Sequence, residues 1–257
     1  MLSHSIRPYP LVARPMPISE ESGDTLAILI DADNASPSIV KGLIDEVAKL
    51  GRASVRRIYG DWTTPNLGSW KDALLEHSIQ PMQQFAYTKG KNATDSTLII
   101  DAMDLLYAGN LDGFCIVSSD SDFTRLASRL KESGKRVYGF GEKKTPRPFV
   151  AACDRFIYTE NLITVEGQAP RRRSGAELDG DQRFLDLVGG AVDDTSEESG
   201  WANLAEVGDF LNKKQPDFDS RTYGYSKLSG LLEAASKHFE VRRVEKVVSV
   251  RRVKAGS

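Results

Sequence analysis

Phe114-Cys115-Ile116-Val117-Ser118-Ser119-Asp120-Ser121-Asp122 decides the fold, because a short, uniformly apolar run ends abruptly in two carboxylates. Upstream, Leu26-Ala27-Ile28-Leu29-Ile30-Asp31-Ala32-Asp33-Asn34 ends the same way. Runs that are apolar at every position suit strands buried on both faces of a parallel sheet. In an open parallel sheet the carboxyl ends of the strands share one crevice, so carboxylates at two neighbouring ends can face a single ligand. Like charges at close range raise each other's pKa unless a cation compensates. The pattern therefore points to a divalent-metal site.

Working outward, short apolar runs alternate with helical patterns from residue 26 to about 162, the signature of repeated βα units and a mostly parallel sheet. Strands are expected at 26–30, 54–59, 79–85, 113–117, 136–140 and 155–158. Helices are expected at 38–50, 67–77, 94–108, 122–133 and 147–153. Residues 1–25 carry Pro8, Pro10, Pro15 and Pro17 among polar residues and read as a disordered tail. Residues 164–180 mix Gly, Pro and three arginines without periodicity and read as a linker. A second domain, 181–254, offers helical patterns at 182–192, 203–212 and 226–235. Two alternating strands follow, so this part describes a small winged helix-turn-helix.

The 257 residues are enough for one large and one small domain. A net charge of -2, from 34 basic and 36 acidic residues, gives no global positive field, so any nucleic-acid affinity must come from local patches. Cys115 and Cys153 sit in apolar patterns and read as core residues of a protein in a reducing cytoplasm. No apolar run approaches the roughly 18 residues of a membrane span. Gly139-Phe140-Gly141 is too short for a dinucleotide fingerprint, and no phosphate-binding P-loop sequence occurs, so no nucleotide cofactor is expected.

Asp31, Asp95, Asp120 and Asp122 come from three separate segments, with Asp95 following Thr94 at an expected helix start. Asp also favours turns and helix starts for purely local reasons. Hard cations such as Mg²⁺ and Mn²⁺ take oxygen ligands, and two to four carboxylates around an open cleft suit them. Such ions stabilise phosphoryl displacement, which favours phosphodiester hydrolysis. On the same helix, Asp104 rotates away from Asp95 and reads as surface, while Asp101 stays open. A rival reading starts from Asp31-Ala32-Asp33, since a strand followed by Asp-x-Asp also opens phosphatases that use an aspartate nucleophile. Asn34 and Ala35 depart from that pattern, and Asp95 has no role in it. Lys89, Lys91, Lys143, Lys144 and Arg147 flank the expected cleft as candidate phosphate contacts. Trp62 and Tyr87 are candidate base-stacking surfaces, whereas Tyr59 and Phe85 read as core.

Ile30-Asp31-Ala32-Asp33-Asn34, Lys91-Asn92-Ala93-Thr94-Asp95 and Ser118-Ser119-Asp120-Ser121-Asp122-Phe123 resemble the three motifs of NYN domains, over about 26–163. The resemblance implies a PIN-like, Rossmann-type sheet with its first and fourth strands adjacent. It also implies a metal-dependent ribonuclease whose Asp31, Asp95, Asp120 and Asp122 hold Mg²⁺ or Mn²⁺. Asn34 would then position a carboxylate or phosphate, and Ser119 would hydrogen-bond the third-motif aspartate or the scissile phosphate. The second domain, with Gly200-Trp201-Ala202-Asn203-Leu204, Pro216-Asp217-Phe218 and Tyr223-Gly224-Tyr225-Ser226-Lys227-Leu228, resembles OST-HTH (LOTUS) winged-helix domains. That resemblance implies RNA or protein binding through Lys227, Arg242, Arg243, Arg251 and Arg252, the four arginines lying on the two arms of the wing. Trp201, Leu204, Val207 and Leu211 recur at helical spacing and read as core. The alternative to a nuclease is a non-catalytic RNA-binding adaptor that keeps the acidic pocket for folding or partner docking.

Overall fold

The computed structural model describes residues 23–85, 93–163 and 171–253. Most of the expected tail, residues 164–170 of the expected linker, and Tyr87, Lys89 and Lys91 lie outside them. In chain order the first domain runs β1 (Asp24–Asp31), α1 (Val40–Leu50), β2 (Gly51–Gly60), α2 (Lys71–Glu76), β3 (Gln80–Gln83), α3 (Ala93–Ala108), β4 (Gly113–Val117), α4 (Thr124–Glu132), β5 (Arg136–Gly141), α5 (Arg147–Ala152) and β6 (Arg155–Tyr158). The six strands pair in parallel in the order β3-β2-β1-β4-β5-β6. This is the doubly wound order, whose switch point lies between β1 and β4. The two acid-tipped strands are therefore neighbours.

Strand parity explains why β1 and β4 are apolar throughout. Leu26, Ile28 and Ile30 pack with Val40, Leu43 and Val47 of α1 on one face. Ala27 and Leu29 pack on the other with Leu98 and Ala102 of α3, Leu126 and Leu130 of α4, and Phe149 of α5. Each face buries its own apolar layer, so neither strand has a solvent side. Cys115 and Cys153 are both free and buried.

The second domain contains α6 (Gly175–Asp179), α7 (Gln182–Thr195), β7 (Ala202–Asn203), α8 (Leu204–Lys214), α9 (Leu228–Ala234), β8 (Phe239–Val244) and β9 (Val247–Arg252), with an antiparallel sheet in the order β7-β9-β8. The expected linker needs correction, because α6 lies inside it. Ser174 and Glu177 form a reciprocal capping box. Leu178 is buried in the core of the second domain, and Arg173 pairs with Asp181 at 2.7 Å. Trp201 also departs from expectation, since α8 starts only at Leu204 and the indole is half-buried rather than core.

The two domains are docked. Phe156 on the edge strand β6 donates its backbone N–H to the Pro216 carbonyl at 2.8 Å. Asp217 accepts from Arg147 at 2.6 Å and from the Tyr158 hydroxyl at 2.7 Å. Glu46 of α1, only 4% exposed, accepts from Arg221 at 3.0 and 3.2 Å and from Lys49 at 2.9 Å. Arg155 lies 3.5 Å from the same carboxylate. Among the described residues no helix is long and apolar enough to cross a membrane.

Candidate active site

Parity builds the site from the strands upward. Asp31 continues the face of Ala27 and Leu29, and Ser118 continues the face of Phe114 and Ile116, so both point toward the layer of α3. Ile30 is in register with Val117, which makes Asp31 and Ser118 neighbours. Ser118 Oγ donates to Asp31 Oδ2 at 2.8 Å and accepts from the Asp120 backbone N–H at 3.0 Å. Asn34 Nδ2 donates to the same Asp31 oxygen at 2.8 Å, and the Asp33 N–H reaches Oδ1 at 3.0 Å. Asn34 therefore positions a carboxylate. Burial pushes the Asp31 carboxyl up, and the hydrogen bonds from Asn34 and Ser118 offset only part of that rise.

Asp95 lies in the first turn of α3. Asp120 caps the 3₁₀ turn that follows β4, accepting from the Asp122 N–H at 2.9 Å. One carboxylate oxygen from each of Asp95, Asp120 and Asp122 lies within 4.8 Å of the other two. Asp31, 0% exposed, is not one of these three and stands beside them as a buried neighbour. Its charge still acts on the triad. The Asp95 pKa is pushed up to about 6, first by burial and then by the charges of Asp31, Asp120 and Asp122. An all-oxygen set with crowded negative charge fits a hard divalent cation.

This electrostatic state sets a pH dependence. With its pKa raised above the ordinary carboxylate value, Asp95 makes the folded chain bind more protons than the unfolded one between about pH 4 and 6, so cation-free stability falls as pH rises through that window. A divalent cation bound at the triad would relieve the repulsion above pH 6 and compete with the proton below it. Mn²⁺ at 100 times the Kd that it would have at pH 7.5 should stabilise by about 2.7 kcal/mol there, and the same concentration should stabilise far less at pH 5. Thermal unfolding at both pH values checks this, and equal shifts would contradict it.

Other expected residues lie elsewhere. Ser119 shares the parity of Cys115 and Val117, faces the α1 side, and accepts from the Glu142 N–H at 2.9 Å. It touches none of the four aspartates in the described hydrogen bonds, and the serine that does is Ser118. Asp101 bonds Arg57 and Tyr59 of β2, tying α3 to the sheet. Asp104 is exposed. Trp62 is packed on the core and donates to the Met82 carbonyl at 3.1 Å, whereas Phe85 is 51% exposed, the reverse of expectation. Asp31 is fully buried, and its oxygens accept hydrogen bonds from Asn34, Ser118 and the Asp33 N–H.

The basic candidates are mostly engaged within the protein. Lys144 pairs with Glu142 at 3.0 Å. Lys143 and Arg147 line a cavity of about 400 Å³ between the domains, where Arg147 is held by Asp217. Lys227 is exposed just before α9. Arg243 pairs with Glu233 at 2.5 Å, Arg252 with Asp193 at 2.7 Å, and Arg251 with Glu240 at 2.5 Å. Arg242 and Arg251 both lie over the Trp201 ring, at 4.1 and 4.7 Å from its centroid.

A doubly wound parallel sheet with converging aspartates at its carboxyl edge, joined to a winged helix, defines a PIN-like α/β protein with an accessory domain. Comparison with protein families gives the same answer. The model of the NYN domain matches residues 25–162, more than half of the sequence, and the chain belongs to the NYN domain family. The OST-HTH/LOTUS domain matches residues 188–249. NYN domains belong to the PIN-like nuclease superfamily, and OST-HTH is an RNA-binding module. No curated protein matches the chain. Among solved structures, a protein of unknown function from Vibrio parahaemolyticus is 17% identical over 58% of this chain and 100% of its own, with a TM-score of 0.49. An uncharacterized protein from Nitrosomonas europaea is 33% identical over 37% of this chain and 89% of its own, with a TM-score of 0.29.

Proposed function

We propose that the protein is a divalent-metal-dependent ribonuclease that hydrolyses RNA phosphodiesters at the carboxyl edge of β1 and β4. The observation that carries this reading is the triad of Asp95, Asp120 and Asp122 within 4.8 Å, in a domain of PIN-like type. These three residues would hold Mg²⁺ or Mn²⁺. A bound divalent ion supplies Lewis-acid stabilisation of a phosphoryl oxygen. Asp31 adds a fixed negative charge beside the triad, with Asn34 and Ser118 clamping its orientation. The Asp120 backbone hangs from Ser118, so the third-motif carboxylate is oriented by the strand that carries it. Water attacks without a covalent enzyme intermediate, in keeping with the burial of Asp31. The docked OST-HTH domain retains the RNA. We also infer a cytoplasmic setting from the two buried free thiols.

Labelled single-stranded and hairpin RNAs, incubated with the protein and Mg²⁺, Mn²⁺ or EDTA, test the proposal. Cleavage is expected with either ion and none with EDTA. Equal cleavage in EDTA would refute metal dependence. RNA binding without cleavage under any condition would instead make the protein an adaptor.

A further inference from the structure

The wing carries two Arg-Arg pairs, and strand alternation splits each of them. In the β8–β9 ladder Phe239 faces Arg252, Val241 faces Val250 and Arg243 faces Val248. Phe239, Val241 and Val250 belong to the core, so this is the inner side of the sheet. From it Arg252 reaches Asp193 of α7, and Arg243 reaches Glu233 of α9. These two arginines fasten the hairpin to the helices.

The opposite parity gives the outer side, where Glu240 faces Arg251 and Arg242 faces Ser249. β7 joins the same sheet, with Ala202 opposite Val250 and Asn203 opposite Ser249. Continuing this register by one residue sets Trp201 beside Arg251. The small Ser249 leaves room on this face for the indole, over which both guanidinium groups lie. Glu240 accepts from Arg251 Nε at 2.7 Å as well as from its Nη2, which fixes the plane of that guanidinium. Arg242 has no carboxylate partner among the described residues. Val244 and Val247, exposed at the hairpin end, extend the same face with apolar surface.

We propose that this outer face, organised by Trp201, is the surface on which the OST-HTH domain takes unpaired RNA. The proposal rests on the RNA-directed reading above and selects two of the four wing arginines. Flat guanidinium groups held against an aromatic ring offer stacking platforms to unpaired bases, which a duplex keeps paired and stacked inside. Arg251, whose charge is offset by Glu240, serves as a platform. Arg242 is the phosphate contact. Trp201 is a positioning residue that holds both.

Binding of a fluorescein-labelled 12-nucleotide single-stranded RNA of mixed sequence to the full chain in EDTA tests this, read as affinity and as its dependence on salt. Arg251→Ala should weaken binding roughly 10-fold, the size of a lost stacking platform, with little change in salt dependence, whereas Trp201→Leu, which releases both arginines, should weaken it at least as much and also lower the salt dependence. Arg242→Ala should weaken binding and also reduce the slope of log affinity against log salt by about 0.7. Arg243→Ala and Arg252→Ala should bind as wild type wherever thermal unfolding shows them folded. Wild-type affinity in Trp201→Leu and Arg242→Ala would overturn this surface and leave the nuclease reading standing, as would an equal loss in Arg243→Ala. A wild-type protein that neither binds this RNA nor cleaves any RNA with Mn²⁺ would overturn both.

Discussion

Asp120→Asn is expected to lower metal-dependent RNA cleavage by more than about 100-fold while the protein stays folded. Even partners one shell removed from a metal are typically worth 10- to 100-fold, so loss of a carboxylate from the triad should exceed that. Asn keeps the size of Asp and an oxygen able to accept from the Asp122 N–H, so the turn after β4 retains its cap. What changes is charge. Removing the Asp120 charge also removes one contribution to the raised Asp95 pKa, which should move downward. Cleavage rates with Mn²⁺, beside thermal unfolding of the same samples, decide the matter. A folded variant that cuts at the wild-type rate would exclude Asp120 from the chemistry.

The second large effect lies between the domains. Arg221→Ala should destabilise the protein by about 3 kcal/mol, because breaking a buried ion pair strands its partner in the interior. Two carboxylates lose Arg221: Asp219, which accepts from it at 2.6 Å within the second domain, and Glu46, whose remaining contacts, Lys49 and Arg155, compensate only in part. Burial pushes the Glu46 carboxyl up, yet the bonds to Lys49 and Arg221 overcome it and leave the pKa below the ordinary 4.5. A depressed folded pKa means that this stabilisation is present above the ordinary value and fades as pH falls through the lowered one. Chemical denaturation of wild type and Arg221→Ala at pH 7 and at pH 3 measures both points, and the difference should shrink in acid. A difference under about 0.5 kcal/mol at pH 7, the scale of an exposed pair, would show the junction to be incidental.

The sheet and the acidic cluster were readable because apolar runs in β1 and β4 end in charge, and such endings fix both burial and strand direction. Ser118 was readable as well. It shares the parity of Phe114 and Ile116, so alternation alone separates it from Ser119, which emerges on the α1 face. The helix inside the expected linker was hidden by Arg171-Arg172-Arg173, although Ser174 and Glu177 carry the spacing of a capping box. Domain docking left no local mark. Glu46 reads as an ordinary polar position on an amphipathic helix, and its partner Arg221 lies 175 residues further along.

The Pro216 carbonyl takes up the outward-facing amide of Phe156, so the chain's own second domain occupies one hydrogen-bonding position on the edge strand of the parallel sheet. Unpaired strand edges are where sheets from different molecules join. Cutting the chain within 164–170 and removing the second half would bare that amide again, so the NYN domain alone should self-associate more readily than the full chain.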